Sequence, residues 1–316
     1  MRTLSLIIPL YNEEKNIIPL YNKINNILRN IHVEYEIIFV DDGSKDKSSL
    51  ILNDLSEKDK KVKVIILRRN FGKSIALQTG FNNSSGEIVI TMDGDLQDDP
   101  KEIPRFINGI ESGFDLVSGW KFKRLDPITK IISSKIFNLL TRIITRVNLH
   151  DFNCGYKAYR REVINSIDLY GGHHRYIPIL AKMQGFKIGE IKVMHHKRIY
   201  GKSKYGFSRL LKGLFDLITI KFITTFEKNP FYLFGTLGFI FLFFGLITGI
   251  YVLYIKYVLN ELLGLGRPIV ILIALFVIAG VQLISTGLIG ELLVRKKSLE
   301  ETKEFFNKKY IKEISK

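Results

Sequence analysis

Two carboxylates stand two residues apart at Asp93 and Asp95, in the segment 92–100 that directly follows the largely apolar run of residues 87–91. Hard divalent cations such as Mg²⁺ and Mn²⁺ prefer oxygen ligands and keep open positions that substrate phosphates can fill. An Asp-x-Asp pair at the end of a buried strand therefore predicts a metal ion held against a diphosphate. The pair is weak evidence on its own, because aspartate-rich turns commonly cap helices or face solvent.

The carboxylate pair lies within an alternation of short apolar strands and helices over residues 1–120. The predicted strands are residues 4–9, 36–40, 62–67, 87–92 and 115–118, and the predicted helices are residues 16–31, 47–58, 74–82 and 104–112. This alternation is typical of an α/β fold with a mostly parallel, open, doubly wound sheet. Ligands of such sheets bind beyond the carboxyl ends of the strands.

Polar motifs follow four of these strands. They are PLYNEE at residues 9–14, DDGS at 41–44, RRNFGK at 68–73 and DGD at 93–95. Each motif alone is ordinary turn or helix-capping chemistry. Four such motifs at one edge of a sheet favour a ligand site there.

The pattern changes after residue 120. In order, the chain has a basic helical stretch at 126–150, a compact turn at 151–156, a strand-like alternation at 186–193, a basic loop at 195–204 and an amphipathic stretch at 207–226. The last of these has its apolar side chains on one face, which is typical of helices that lie at a membrane interface.

Two long apolar stretches predict a membrane anchor. Residues 231–255 contain no charge, and residues 268–294 contain one charged residue, Glu291. A helix needs about 20 apolar residues to cross the hydrocarbon core, so both stretches are long enough. The alternative, a pair of buried core helices, is disfavoured because helices of soluble proteins rarely stay apolar all round over this length.

Basic residues are concentrated before the first stretch, at 196–228, and directly after the second, at 295–297. The positive-inside rule then predicts that both termini and the residues before the anchor are cytoplasmic. The apolar run at residues 4–10 is too short for a signal peptide. The single cysteine, Cys154, agrees with a reducing compartment.

The net charge of +16 bears on the choice of partner. A nucleic-acid partner is not favoured, because the sequence shows neither interleaved stacking aromatic residues nor a groove-reading helix. Basic clusters beside a membrane span are typical of contact with anionic lipid, so the predicted partner is the bilayer. The histidine pairs at 173–174 and 195–196 do not favour zinc, because adjacent side chains on an extended strand point to opposite faces.

Taken together, the motifs resemble those of a known enzyme family. They are PLYNEE, DDGSKDKS, NFGKSIALQTG, MDGDLQDDP, DFNCGYKAYR and the R-x-x-G-x-S-K of residues 198–204. They resemble the inverting glycosyltransferases with the GT-A fold, and more narrowly the polyprenyl-phosphate glycosyltransferases. That group includes dolichol-phosphate mannose synthases and bactoprenol glucosyltransferases. The resemblance runs from about residue 3 to residue 295 and includes two carboxyl-terminal spans.

The resemblance implies a role for each matching residue. The nucleotide-sugar site would comprise Pro9, Tyr11, Asn12, Glu13, Asp42, Gly72, Lys73 and Asp93. The cofactor, Mg²⁺ or Mn²⁺, would be held by Asp93, Asp95 and Gln97, and the catalytic residues would be Asp95 and Asp151. The lipid phosphate would be bound by Arg198, Ser203, Lys204, Lys121, Lys130 and Ser134. Some relatives have arginine at the positions of Lys121 and Lys130, where lysine offers a point charge instead of a bidentate fork.

The implied reaction is inverting transfer of a sugar from a nucleoside diphosphate to polyprenyl (undecaprenyl) monophosphate. We expect glucose from UDP-glucose, with GDP-mannose, UDP-N-acetylglucosamine or an aminosugar donor as alternatives. A phosphomonoester is largely dianionic at neutral pH, because its second pKa is about 6. Asp151 could therefore act either as a base or as an orienting group.

Two other functions are weighed against this one. Processive polysaccharide synthases share the Asp-x-Asp chemistry but typically carry a Gln-x-x-Arg-Trp motif, which is absent here because the only tryptophan is Trp120, in SGWK. A membrane-anchored nucleotide-sugar scaffold without turnover is the non-enzyme alternative. The intact Asp-x-Asp pair and basic loop favour an enzyme.

The sequence thus predicts four segments. They are a cytoplasmic GT-A catalytic domain at 1–205, interfacial amphipathic helices at 206–229, a two-helix transmembrane anchor at 230–295 and a basic cytoplasmic tail at 296–316. A short two-span anchor favours assembly, so a homo-oligomer in the cytoplasmic membrane is expected.

Overall fold

A computed structural model of the protein describes residues 3–31, 33–122, 128–169, 171–197, 219, 222, 225–226, 229–259 and 268–309. The chain divides into two units, Met1–Lys221 and Phe222–Lys316. The predicted interfacial helices at 206–229 fall almost entirely outside the described residues.

A seven-stranded sheet forms the centre of the first unit. Its strands are β1 (Thr3–Leu10), β2 (Glu34–Asp41), β3 (Val62–Ile66), β4 (Ile88–Thr91), β5 (Leu116–Lys121), β6 (Lys157–Arg160) and β7 (Ile188–Val193). Their order across the sheet is β3–β2–β1–β4–β6–β5–β7. Among these strands, only the pairs that include β6 are antiparallel. The predicted mostly parallel α/β sheet is confirmed.

Helices cover both faces of the sheet. They are α1 (Ile17–Leu28), α2 (Ser48–Lys58), α3 (Lys73–Asn82), α4 (Ile103–Glu111), α5 (Ile128–Thr145), α6 (Arg161–Asn165) and α7 (Ile177–Met183), with 3-10 turns at Pro100–Glu102 and His173–Arg175. Alternate residues of β1 divide between two cores: Leu6 packs with α1, α2 and α4, whereas Ile7 packs with α3, α6 and α7. Because both faces are covered, β4 (IVIT) and the second half of β1 (LIIPL) are nearly continuous apolar runs, without the polar alternation of a strand with one exposed face.

Strand β6 was not predicted from the sequence. It pairs antiparallel with β4, with Lys157 opposite Thr91, the last residue of β4. An antiparallel strand enters the sheet at the edge where its parallel neighbours end. The turn that precedes β6, which carries Asp151, is therefore brought to the ligand edge of the sheet.

The second unit contains two long apolar helices, α8 (Pro230–Tyr257) and α9 (Pro268–Lys309). Both have segments long and apolar enough to cross a membrane. Within the described part of the chain, only 11% and 6% of these two segments is buried, whereas the core helix of a soluble domain is mostly buried. The helices approach closely at Gly238, where a Cβ atom would lie 2.7 Å from the carbonyl oxygen of Gly280. Small residues at such contacts let helix backbones pack closely in membranes.

Candidate active site

The loops after β1 and β2 are joined by hydrogen bonds. The Asn12 N–H donates to Ser44 Oγ at 2.8 Å, and the Lys45 N–H donates to Asn12 Oδ1 at 2.7 Å. The Glu13 N–H donates to Ser48 Oγ at 3.0 Å. Asn12 has a left-handed backbone (φ +52°), a conformation that asparagine tolerates better than most residues. These bonds hold the predicted nucleotide-binding residues of the first loop against the second.

Asp42 connects the second loop to the third. Its carboxylate accepts the N–H of Phe71 at 2.7 Å and that of Gly72 at 2.9 Å. Burial raises the pKa of Asp42 more than these two bonds lower it. Gly43 next to it has φ +68°, and a Cβ atom there would lie 2.3 Å from the carbonyl carbon of Arg69, so only glycine fits. The predicted residues Asn12, Glu13, Asp42 and Gly72 thus belong to one connected rim.

Pro9 and Tyr11 border this rim. Pro9 is paired with Val40 near the end of β1, and Tyr11 follows the strand directly, with its side chain partly exposed. Both lie at the carboxyl edge of the sheet, as their positions predict.

The carboxylate loop begins where β4 ends. Lys73, the first residue of α3, forms an ion pair with Asp93. Burial alone would raise the pKa of Asp93, but Lys73, Lys121 and Lys157 together hold it well below its usual range. Asp95 is buried and accepts the Gln97 N–H at 3.2 Å. Both predicted metal-binding carboxylates therefore lie at the sheet edge, and Asp93 is kept ionised by lysines.

Hydrogen bonds from a residue outside the loop fix the backbone of the carboxylate loop. Leu96, between Asp95 and Gln97, is buried with φ +62°, a strained conformation that persists only where the surroundings fix it. The His196 N–H donates to the Gln97 carbonyl oxygen at 2.9 Å, and Gln97 Nε2 donates to the His196 carbonyl oxygen at 3.3 Å. The backbone of His196, shortly after β7, therefore binds both the backbone and the side chain of Gln97.

A buried ion pair lies behind the loop. Lys121 Nζ is 2.9 Å from Asp98 Oδ1, and the side chains are 8% and 0% exposed. The other oxygen of Asp98 accepts the Asp93 N–H at 3.2 Å. Although burial lowers the pKa of Lys121, Asp98 and the other anionic neighbours raise it above its usual value. Asp98 was not among the predicted site residues. The lipid-phosphate role of Lys121 stays a prediction, and the observed partner of Lys121 is Asp98.

The turn before β6 lies against Asp93. A Cβ atom on Gly155 would be 2.5 Å from Asp93 Oδ1. Lys157 is buried and its ammonium donates to the carbonyl oxygen of Cys154, within the same turn. Burial, with Lys73 nearby, lowers the pKa of Lys157. The turn and the carboxylate loop therefore form one packed structure.

Asp151 is buried at the start of this turn and is held by Glu190 of β7. Glu190 Oε1 accepts the N–H of His150 at 2.8 Å and that of Asp151 at 3.2 Å. Its other oxygen is 2.6 Å from His150 Nδ1, and the His150 ring stacks on Trp120 with centroids 4.0 Å apart. Asp151 Oδ1 accepts the Asn153 N–H at 3.0 Å. Glu190 was not among the predicted site residues.

A comparison with known proteins decides the family. Residues 5–168, which include all four strand-end motifs and Asp151, match the family described as Glycosyl transferase family 2. The chain belongs to glycosyl transferase family 2. The predicted enzyme class, a glycosyltransferase, is confirmed.

Relatives of this glycosyltransferase match it over most of their length. It is 34% identical to the dodecaprenyl-phosphate galacturonate synthase of Rhizobium johnstonii, over 92% of this chain and 88% of that protein. It is 32% identical to the undecaprenyl-phosphate 4-deoxy-4-formamido-L-arabinose transferase of Photorhabdus laumondii, over 93% and 90%. The predicted resemblance to polyprenyl-phosphate glycosyltransferases is confirmed.

A solved structure supports the fold. Glucosyl-3-phosphoglycerate synthase of Mycobacterium tuberculosis, in complex with Mn²⁺ and UDP-glucose, superposes with a TM-score of 0.54 at 21% identity. The match covers 71% of this glycosyltransferase and 79% of that chain. The predicted GT-A fold is confirmed.

The donor atoms of the site suit a hard cation. Among the described residues, no group of three or more His, Cys, Asp or Glu side chains could hold a metal by itself. Asp93 and Asp95 supply carboxylate oxygens, so phosphate oxygens and water would complete the coordination shell with the predicted ligand Gln97, as is usual for Mg²⁺. His174, from the histidine pair that was weighed as a zinc ligand, contacts Ser74, with its Nδ1 2.9 Å from Oγ.

Several predicted lipid-phosphate residues lie outside the described part of the glycosyltransferase. These are Arg198, Ser203 and Lys204, together with the side chain of Lys130. Ser134 is described and lies partly exposed on α5.

Proposed function

We propose that this glycosyltransferase transfers a sugar from a nucleoside diphosphate to the monophosphate of a polyprenol, such as undecaprenyl phosphate, at a membrane surface. The observation that carries the proposal is the packing of the lysine-bound Asp93–Asp95 loop against the turn that holds Asp151. Two relatives named for polyprenyl-phosphate sugar transfer, matched over about nine tenths of their length, support the choice of acceptor.

The donor would bind along the connected rim of strand-end loops. The proposed contacts to the nucleoside are Pro9, Tyr11, Asn12, Glu13, Asp42 and Gly72. Lys73, at the start of α3, would face the diphosphate. Its ammonium neutralises Asp93 in the structure, and the same charge suits a phosphate oxygen.

A divalent cation, Mg²⁺ or Mn²⁺, would be held by Asp93, Asp95 and Gln97 together with the diphosphate. When bound, it would stabilise the negative charge that the leaving nucleoside diphosphate acquires. The chain prepares this site in two ways. Lysines keep Asp93 ionised, and His196 and Asp98 fix the loop that carries the two carboxylates.

Asp151 would orient the sugar or the acceptor. An acceptor phosphate is already largely dianionic at neutral pH, so it needs no base to attack the anomeric carbon. Glu190 accepts the backbone N–H of Asp151 and so fixes the residue that carries the carboxylate, which suits an orienting group. The expected outcome of in-line attack is inversion at the anomeric carbon.

The acceptor phosphate would be bound by Arg198, Ser203 and Lys204, with Lys130 and Ser134. Two anionic substrates repel each other, so cationic side chains between them lower the energy of approach. Lys121 is buried beside Asp98, so we propose that its charge acts on the carboxylate loop more than on the lipid.

Glucose from UDP-glucose remains our specific proposal for the donor. The relatives are named for galacturonate and for 4-deoxy-4-formamido-L-arabinose, which adds an acidic and a formamido sugar to the candidates. Pocket shape and charge decide among these donors.

We also propose that α8 and α9 anchor the protein in the cytoplasmic membrane as a homo-oligomer, with both termini and the catalytic unit cytoplasmic. The low burial of both helices supports the anchor, and the basic flanks support the orientation.

The test uses membranes that contain the full chain, Mg²⁺, undecaprenyl phosphate and one radiolabelled donor at a time. The donors are UDP-glucose, UDP-galacturonate, GDP-mannose, UDP-N-acetylglucosamine and UDP-4-deoxy-4-formamido-L-arabinose. We expect label in the organic phase from one donor, and expect EDTA or Asp95→Asn to abolish it. The matched control is Asp54→Asn, which removes an exposed carboxylate on α2 and should keep activity.

Three outcomes would count against the proposal. Bound UDP without lipid-linked label from any donor would contradict the acceptor. Full activity of Asp95→Asn would contradict the site. Retained UDP binding without turnover on any acceptor would favour the scaffold alternative.

A further inference from the structure

His150, the residue before Asp151, is bound at four points although its side chain is 48% exposed. Its N–H donates to Glu190 Oε1 at 2.8 Å, and its ring Nδ1 lies 2.6 Å from Glu190 Oε2. Its carbonyl oxygen accepts a hydrogen bond from Asn138 Nδ2 at 2.9 Å, and its ring stacks on Trp120 with 11° between the two planes. These contacts fix the orientation of a side chain that would otherwise rotate freely in solvent.

The contacts with Glu190 also decide which ring nitrogen of His150 carries the hydrogen. Glu190 Oε1 accepts the backbone N–H groups of both His150 and Asp151. An ionised carboxylate only accepts hydrogen bonds, so Nδ1–H of the imidazole is the donor to Oε2. Both oxygens of Glu190 are therefore bound by the segment that carries Asp151, and the carboxylate cannot rotate without breaking a bond to that segment.

The indole that stacks on His150 is itself fixed. Trp120 of β5 is paired in register with Lys192 of β7, and Glu190 lies two residues before Lys192, on the same face of the sheet. Lys192 Nζ is 5.3 Å from the centroid of the Trp120 ring, and the Phe122 ring packs edge-on against Trp120 at 5.1 Å. The two supports of the His150 ring thus come from neighbouring parallel strands, which hold them at a constant spacing.

We propose that His150 is a positioning residue for Asp151. Its Nδ1–H fixes one oxygen of Glu190, and the other oxygen accepts the Asp151 N–H, so the orientation of the buried Asp151 depends on His150. His150 would act through Glu190, without bonding to the reacting atoms. The inference rests on the proposed function in one respect, the place of Asp151 beside the sugar or the acceptor.

The test compares two substitutions of the same residue in the full chain. His150→Phe keeps a ring for the stack and removes the Nδ1–H donor, whereas His150→Asn keeps a donor near the position of Nδ1 and removes the ring. The matched control is Tyr21→Phe, which also keeps a ring and removes a hydrogen bond to a carboxylate, here from Tyr21 Oη to Asp59 at 2.7 Å.

The rate is measured as nucleoside diphosphate released from each of the five donors of the activity test. Release reports transfer to any acceptor, water included, so the readout does not depend on which acceptor is used. UDP binding is titrated on the same samples and counts the folded sites. The substitutions are repeated in Asp151→Asn, which should keep a measurable rate because an acceptor phosphate needs no base.

We expect His150→Phe to lower kcat about tenfold, because a hydrogen bond to a charged group is lost, and to leave the donor KM and the number of UDP sites unchanged. His150→Asn should lower kcat only about threefold, because it loses the aromatic stack alone. Tyr21→Phe should have the kcat of the wild type. In the Asp151→Asn protein, His150→Phe should change kcat by less than about twofold, because the carboxylate that it positions is absent.

Wild-type kcat in His150→Phe would overturn the proposal. An equal loss with and without the Asp151 carboxylate would also overturn it, because His150 would then act through another group. A loss of UDP sites in proportion to the rate would show misfolding in place of positioning. Failure of the proposed function is distinguishable from these results, since it appears in the wild type itself, as no release from any donor.

Discussion

The buried ion pair between Asp98 and Lys121 allows a quantitative test of how the carboxylate loop is held. The perturbations are Asp98→Asn, Lys121→Met and the two combined. Each single substitution leaves the other group charged in a site where the side chains are 0% and 8% exposed. The double variant removes both charges and nearly preserves volume.

The expected magnitudes follow from this burial. Removing one partner of a buried pair costs about 3–5 kcal/mol, whereas replacing both with neutral groups is often close to neutral. The double variant should therefore lose far less than the two single variants together, which corresponds to a coupling energy above about 3 kcal/mol in the double-mutant cycle. One kcal/mol shifts the melting temperature of a unit of this size by about 2–4 °C, so each single variant should lose about 6–20 °C.

The assay uses the only tryptophan of the chain, Trp120, which directly precedes Lys121. Its fluorescence in detergent solution, followed against temperature and urea, reports unfolding of the catalytic unit. The matched control is the Asp115–Arg160 pair, which is 3.4 Å apart with side chains 24% and 42% exposed. An exposed pair should couple by less than about 1 kcal/mol.

The result that would refute the reasoning is additivity. If the Asp98 and Lys121 substitutions couple no more strongly than the control pair, the ion pair does not stabilise the loop as a unit. A restored melting temperature in the double variant, with activity still reduced, would show that the Lys121 charge also serves Asp93.

Three further predictions concern the residues around the loop. Gly155→Ala should lower kcat about 100-fold, because the new Cβ would lie 2.5 Å from Asp93 Oδ1 and displacing a reacting geometry by about 1 Å has an effect of that order; near-normal kcat would contradict it. Glu190→Gln should lower kcat about tenfold and leave the donor KM unchanged, because a charged acceptor of the Asp151 N–H is lost; a changed KM with constant kcat would count against a positioning role. Burial, with Lys73 and Arg175, holds the pKa of His174 well below its usual value of about 6.5. As the pH drops below about 6.5, the imidazole is therefore protonated in the unfolded state before it is protonated in the folded state, and the free energy of unfolding should fall. His174→Asn should reduce that loss in urea midpoints measured at different pH values, and unchanged pH dependence would refute the assignment.

Much of the fold could be predicted because its signals are local. Strand β4 is a run of buried apolar residues, and the apolar residues of α1 recur with a helical period. The positions of the polar motifs at strand ends then followed from the topology of parallel sheets. The carboxylates Asp93 and Asp95 could be placed at the ligand edge by the same argument.

The features that could not be predicted from the sequence depend on contacts between residues far apart in the chain. Strand β6 is four residues long, too short to show a period of two, and its antiparallel direction depends on where it finds space between β4 and β5. Asp98 looked like one more acidic loop residue, and Glu190 like an ordinary residue of an alternating strand. Their partners are 23 and 39 positions away in the chain, at Lys121 and Asp151.

The sequence by itself determined the alternation of strands and helices, the edge at which the polar motifs gather, and the two apolar stretches, because each depends on the order of residues along a short segment. The tertiary structure alone decided that Lys73 meets Asp93, that Lys121 meets Asp98, and that an antiparallel strand brings Asp151 to the same edge. Charge pairing and burial depend on distance through space, and that distance exists only once the sheet has formed.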